Sequence, residues 1–209
     1  MLHNGCLLIQ FLLLPALQHF PGDTISKTIV TVGFYQPHNV NSVDTVYYLP
    51  GKVLQWQDFT GRIPSNAKSA AVSFTSFAYE GTATQVKDTL EIHLDLQVFF
   101  VKDDSWAQSF IRDDKDALAH EQIHFDITYL TALLFKNKLA SIDFNEEKDY
   151  DAINSVIQYQ YLEYFRLMNT LQTQYDKETR NGTFINKQKE WQSNIAKAIQ
   201  LGGQWPLPS

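Results

Sequence analysis

His120-Glu121-Gln122-Ile123-His124 is the stretch of this chain best equipped for chemistry. Residues four apart on a helix project from one face about a turn apart, so the two imidazoles can bind one metal ion. The carboxylate between them lies about 100° round the axis, where it addresses a water on that ion. Neutral imidazoles bind zinc through nitrogen without cancelling its charge. That charge brings the pKa of a bound water toward about 7, where Glu121 can take the proton and later pass it to a leaving amine. The bland alternative is two histidines that simply pack beside Ala117, Ile127 and Thr131.

A catalytic zinc usually holds three protein ligands, so one is still to be found. A third histidine following closely would need Gly at 127 and His at 130, where Ile127 and Leu130 stand. A carboxylate from a later helix is the remaining common solution. Two clusters offer one: Glu146-Glu147 with Asp151, and Tyr175-Asp176-Lys177-Glu178-Thr179. Helical periodicity places Glu178 nearer than Asp176 to the apolar stripe that ends at Tyr175.

These residues need a scaffold, and the pattern supplies an α+β one. From Ser26 to Val101, β-branched and aromatic residues alternate with polar ones between turn residues, which predicts strands over 28–35, 45–49, 70–79 and 89–100 in a mostly antiparallel sheet. Beyond Trp106 the period shifts to about 3.6 residues. A long helix is expected from Asp114 to Ala140, with Asp113, Asp114 and Asp116 at its start. A second follows the polar connection 143–151, carries Ile153, Ile157, Tyr161, Tyr164, Met168, Leu171 and Tyr175, and stops near Asn181-Gly182. A third holds Trp191, Ile195 and Ile199 and ends at Gly202-Gly203. An extended peptide could pair with strand 89–100 if that strand lies at the sheet edge.

The motifs together extend the reading. Ala119 to Ile127, then Tyr175-Asp176-Lys177-Glu178-Thr179, Gln188 and Trp191, with Trp56-Gln57-Asp58-Phe59-Thr60-Gly61, Pro64 and Ser105-Trp106 upstream, resemble a bacterial family of predicted secreted zinc-dependent proteases, domain of unknown function 922. The likeness runs from Trp56 to Ile199 and implies a zincin-like metallopeptidase. It favours Asp176 as third ligand, because Asp176 occupies the distinctive position of the second motif and resembles the Tyr-Asp pair of the aspzincins. Glu178, then Glu147, are the alternatives. The family motif commonly continues Tyr-Asp-x-x-Thr-x-His-Gly, whereas Asn181 stands here where His would be.

Composition bounds the rest. A formal net charge of -6 offers no basic field for phosphates, so nucleic acid is not an expected partner. The single cysteine, Cys6, cannot form an intramolecular disulfide. It lies in an apolar run, 6–17, whose length suits a signal peptide over 1–22 better than a membrane span. Export to a periplasmic or extracellular site follows, with residues 23–209 as one domain and no stable membrane insertion. Tyr175 is the tyrosine expected to donate to an oxyanion, because it adjoins the proposed ligand. Trp56 and Asp58 are read as a buried ring and a turn cap, and His93 as solvated. His19 and His38 are set aside as ligands. The expected activity is hydrolysis of a peptide or protein substrate with Zn2+ as cofactor and Glu121 as general base. The alternatives are a secreted binding protein of the same fold with little turnover, and a zinc amidase acting on a cell-wall substrate.

Overall fold

In the computed structural model, residues 25–37, 43–147 and 149–204 are described. The expected signal peptide with Cys6, and also His19 and His38, lie outside them. The strands are β1 (Lys27–Phe34), β2 (Thr45–Tyr47), β3 (Ala71–Val72), β4 (Thr75–Val86), β5 (Thr89–Val101) and β6 (Trp106–Ala107). The helices are α1 (Lys115–Ala140), α2 (Tyr150–Thr179) and α3 (Ile185–Gln200).

Strict alternation makes β5 the organising strand. Leu90, Ile92, Leu94, Leu96, Val98 and Phe100 are all buried, while Glu91 and His93 face solvent. β4 pairs antiparallel with one edge of β5 along nearly its whole length. On the other edge β1 pairs parallel with Thr89–Leu96, and β2 pairs antiparallel with Phe99–Val101. The sheet is mostly antiparallel, as its pattern predicts, and two details come from pairing that the pattern leaves open. One pair is parallel, because alternation settles which face a residue takes but not which way the neighbouring strand runs. The strand after the β4–β5 turn is internal, so any extended substrate must use another segment. The strand expected over 70–79 is also divided. Phe74 N donates to Ser105 Oγ (2.8 Å), and the chain crosses there from the small β3–β6 sheet into β4, which continues to Val86.

α1 starts where its sequence says it should. The Asp114 side chain accepts from Asp116 N and Ala117 N at 2.8 and 3.0 Å, capping the first turn. Its periodicity is blurred because two sides are buried. Phe125, Ala132 and Phe135 join the sheet in one apolar cluster, and Ile123, Ile127 and Leu130 form a second with Leu171 and Tyr175 of α2 and Trp191 and Ile195 of α3. α2 is capped by Asp149 and ends at Arg180 in the left-handed region. Its first half packs on the sheet, where the Tyr161 hydroxyl donates to Phe77 O (3.0 Å), and its last turns reach α1.

The Trp56–Asp58 turn is a brace for α1. Trp56 is buried and Asp58 accepts from Gln55 N (2.8 Å), as the structural reading of both residues has it. Arg112, just ahead of α1, donates to Trp56 O, Phe59 O and Ala107 O at 3.0 to 3.3 Å. On α1 itself, Gln122 Oε1 accepts from Leu54 N (2.8 Å). The first turns of α1 are therefore held against a fixed loop.

The two faces of β5 should respond differently to truncation. Leu94→Ala removes a side chain with no exposure and should cost about 2–5 kcal/mol in urea unfolding. His93→Ala on the solvent face should stay within about 0.5 kcal/mol. Equal losses would contradict the assigned register.

Candidate metal centre

Helical spacing puts His120 and His124 one turn apart on α1, both buried. α2 approaches with its C-terminal end, and Asp176 Oδ1 lies 3.2 Å from His120 Nε2 and 3.0 Å from His124 Nε2. Ligand atoms held at about 2.0–2.1 Å by a tetrahedral ion stand about 3.3 Å apart, so these separations fit one shared ion. His120, His124 and Asp176 form a group able to hold a metal ion. The imidazoles are closed in, whereas the Asp176 side chain is 42% exposed, so the group opens to solvent on the side of α2.

The outer atoms of both rings are also held. His120 Nδ1 meets Gln188 Oε1 (3.2 Å), and Gln188 Nε2 donates to the Asp116 carbonyl (2.9 Å), which leaves Oε1 as the acceptor for the ring. His124 Nδ1 meets Gln172 Oε1 (3.1 Å). Each ring thus donates from Nδ1 and turns Nε2 inward, the arrangement that orients imidazole for a metal.

Tyr175 and the turn after α2 complete the mount. The Tyr175 ring stacks on His120 at 4.6 Å and meets the edge of His124 at 5.2 Å, and it has no exposure. Thr179 Oγ1 donates to Tyr175 O (2.7 Å) and accepts from Gly182 N (3.2 Å). Gly182 has φ +80°, and a Cβ there would sit 3.1 Å from both His120 Cγ and Gln188 Oε1, so only glycine lets the chain pass so close to the ring. In Tyr175-Asp176-x-x-Thr179-x-x-Gly182 every named residue therefore has a place: floor, candidate ligand, cap and close approach.

Charge follows the geometry. Burial alone would raise the Asp176 carboxyl, but hydrogen bonds from His120 and His124 outweigh it and hold the group well below the usual carboxylate range. Burial lowers His124, and the Asp176 hydrogen bond with the charges of Glu121 and Asp176 reverses that to a net rise. Glu121 is buried beside them, 6% exposed, and its carboxylate has no hydrogen-bond partner among the described residues.

The other sequence candidates fall elsewhere. Glu178 accepts from Gln174 Nε2 and Trp191 Nε1, both at 2.8 Å, and so joins α2 to α3. Glu146 and Glu147 precede α2, whose rise of about 1.5 Å per residue puts its first residue roughly 40 Å from Asp176. The Tyr175 hydroxyl is not on the open side of the group as an oxyanion donor would be; it donates to His120 O (3.4 Å). Asn181 is exposed, and its N–H donates to Asp176 O (2.8 Å). His93 is exposed beside Asp95. Gln172 carries no motif, and its one sequence signal is its position four before Asp176, which repeats the spacing of the two histidines.

The purified protein should hold one divalent cation per chain. His120→Ala, His124→Ala and Asp176→Ala should each lose it in dialysed samples analysed for metal, while Glu178→Gln and Glu147→Gln keep it. Loss in Glu178→Gln with retention in Asp176→Ala would move the third ligand.

No family model, curated protein or solved structure matches this chain.

Proposed function

We propose that this protein is a zinc-dependent hydrolase of peptide bonds, exported from the cell that makes it. The observation that carries the reading is Glu121, 6% exposed and without a hydrogen-bond partner among the described residues, which stands in the sequence between two imidazoles that share Asp176. A donor set of two nitrogens and one carboxylate suits zinc with an open fourth position. The same set suits mononuclear iron(II) oxygenases, but their chemistry makes no use of a carboxylate between the histidines. Export is supported by the apolar run at 6–17 and by nothing in the described residues.

When bound, zinc lowers the pKa of a coordinated water and polarises the carbonyl under attack. The chain supplies the proton traffic. Glu121 takes a proton from the attacking water, and its protonated form then donates to the amine as the C–N bond breaks. Asp176 and the two imidazoles keep the site's donors fixed, and Tyr175 stiffens the rings from below. The partly exposed side of Asp176 leaves room for a peptide to approach from α2.

Glu121→Gln should leave folding and zinc content nearly intact and lower hydrolysis of a denatured protein or mixed peptide library by roughly 10²–10⁴. Chelator should abolish the wild-type rate. Undiminished cleavage in Glu121→Gln overturns the role of Glu121, and a zinc-loaded wild type that cleaves no peptide favours the binding-protein alternative.

A further inference from the structure

We propose that Thr75, the first residue of β4, is a positioning residue for the metal centre, acting through Thr128 and Gln172 to hold His124 with Nε2 toward the ion. The inference rests on the zinc reading above and adds the sheet to it. Thr75 touches no proposed ligand; it reaches the centre through a set of five hydrogen bonds whose directions can be assigned one proton at a time.

Thr128 Oγ1 donates to the His124 carbonyl (3.0 Å), the usual choice of a buried threonine on a helix. That spends its single proton. In the 2.7 Å contact between the two hydroxyls, Thr75 must then be the donor. With both protons committed, the two oxygens offer only lone pairs to Gln172, whose Nε2 donates to Thr75 Oγ1 at 3.3 Å and Thr128 Oγ1 at 3.2 Å. Gln172 Oε1 is therefore turned to His124 and accepts from Nδ1 (3.1 Å). A flipped carboxamide would set its N–H groups against Nδ1–H and its oxygen against two hydroxyls with no proton to give. Thr75 is 8% exposed and Thr128 has no exposure, so the pair has little access to water as a substitute partner.

The two arms of the centre thus differ in origin. Gln188 holds His120 from α3, whereas the His124 arm ends in the sheet. Without the Thr75 hydroxyl, Thr128 loses its donor and Gln172 Nε2 loses one of two acceptors. The carboxamide can then turn, and His124 is no longer held in the tautomer a metal needs.

The test is zinc affinity, read by competition with a chromophoric chelator, for wild type, Thr75→Val and Thr75→Ser. Outer partners of metal-bound histidines are typically worth 10–100-fold in affinity, so Thr75→Val should bind zinc roughly tenfold more weakly, and Thr75→Ser should stay within about twofold of wild type. Valine keeps the branched shape, so the metal-free melting temperatures should be close. Unchanged affinity in Thr75→Val, or an equal loss in Thr75→Ser, overturns the inference. If Thr75→Val does not fold, nitrogen-15 spectra of zinc-loaded wild type decide: a slowly exchanging His124 Nδ1–H supports the relay, and its absence overturns it. Wild type that binds no zinc instead removes the zinc reading, and the inference with it.

Discussion

A helix that buries two imidazoles must find a partner for every ring nitrogen, because an unpaired polar group away from water costs on the order of 1–3 kcal/mol. α1 cannot meet that demand from its own backbone, which is occupied by helical hydrogen bonds. The partners come from the two helices that follow: Gln172 and Asp176 on α2, Gln188 on α3. Gln172 and Asp176 repeat the four-residue spacing of His120 and His124. One register of α2 against α1 therefore serves both rings, and a slip of one residue would serve neither. The turn 180–182 then brings α3 back so that Gln188 reaches both His120 and the backbone at Asp116.

Apolar packing makes that register rigid but does not explain it. Ile123, Ile127 and Leu130 meet Leu171, Tyr175, Trp191 and Ile195 in a cluster that would tolerate other polar content at its rim. Buried ionic groups seldom raise stability above that of well-packed apolar substitutes, because desolvation offsets much of their attraction. Glu121 adds a carboxylate, only 6% exposed as a residue, that makes no hydrogen bond among the described residues. Groups that folding does not need, gathered around one point, are better explained by what they do there.

Part of this was readable from the chain. His120, Glu121 and His124 follow from spacing alone, and the strand and helix segments follow from their periods, with α1 starting at Asp114 and β5 alternating through Phe100. The choice of Asp176 came from resemblance, against a periodicity that placed Glu178 nearer the stripe. In the structure it is Asp176 that meets both imidazoles; the stripe faces α1 and α3 together, and Glu178 is on the α3 side with Trp191. What was illegible depends on tertiary contact. The parallel direction of β1, the internal place of β5 and the division at Phe74 are set by which edges meet, not by local pattern. Gln172 and Gly182 look ordinary until the ring each one touches is known.

The three-residue centre is most directly tested by diffraction from zinc-loaded crystals on both sides of the zinc absorption edge. A single anomalous peak is expected at about 2.0–2.2 Å from His120 Nε2, His124 Nε2 and an Asp176 carboxylate oxygen. A peak coordinated through Nδ1 of either ring, or one that leaves Asp176 outside bonding distance, would contradict it.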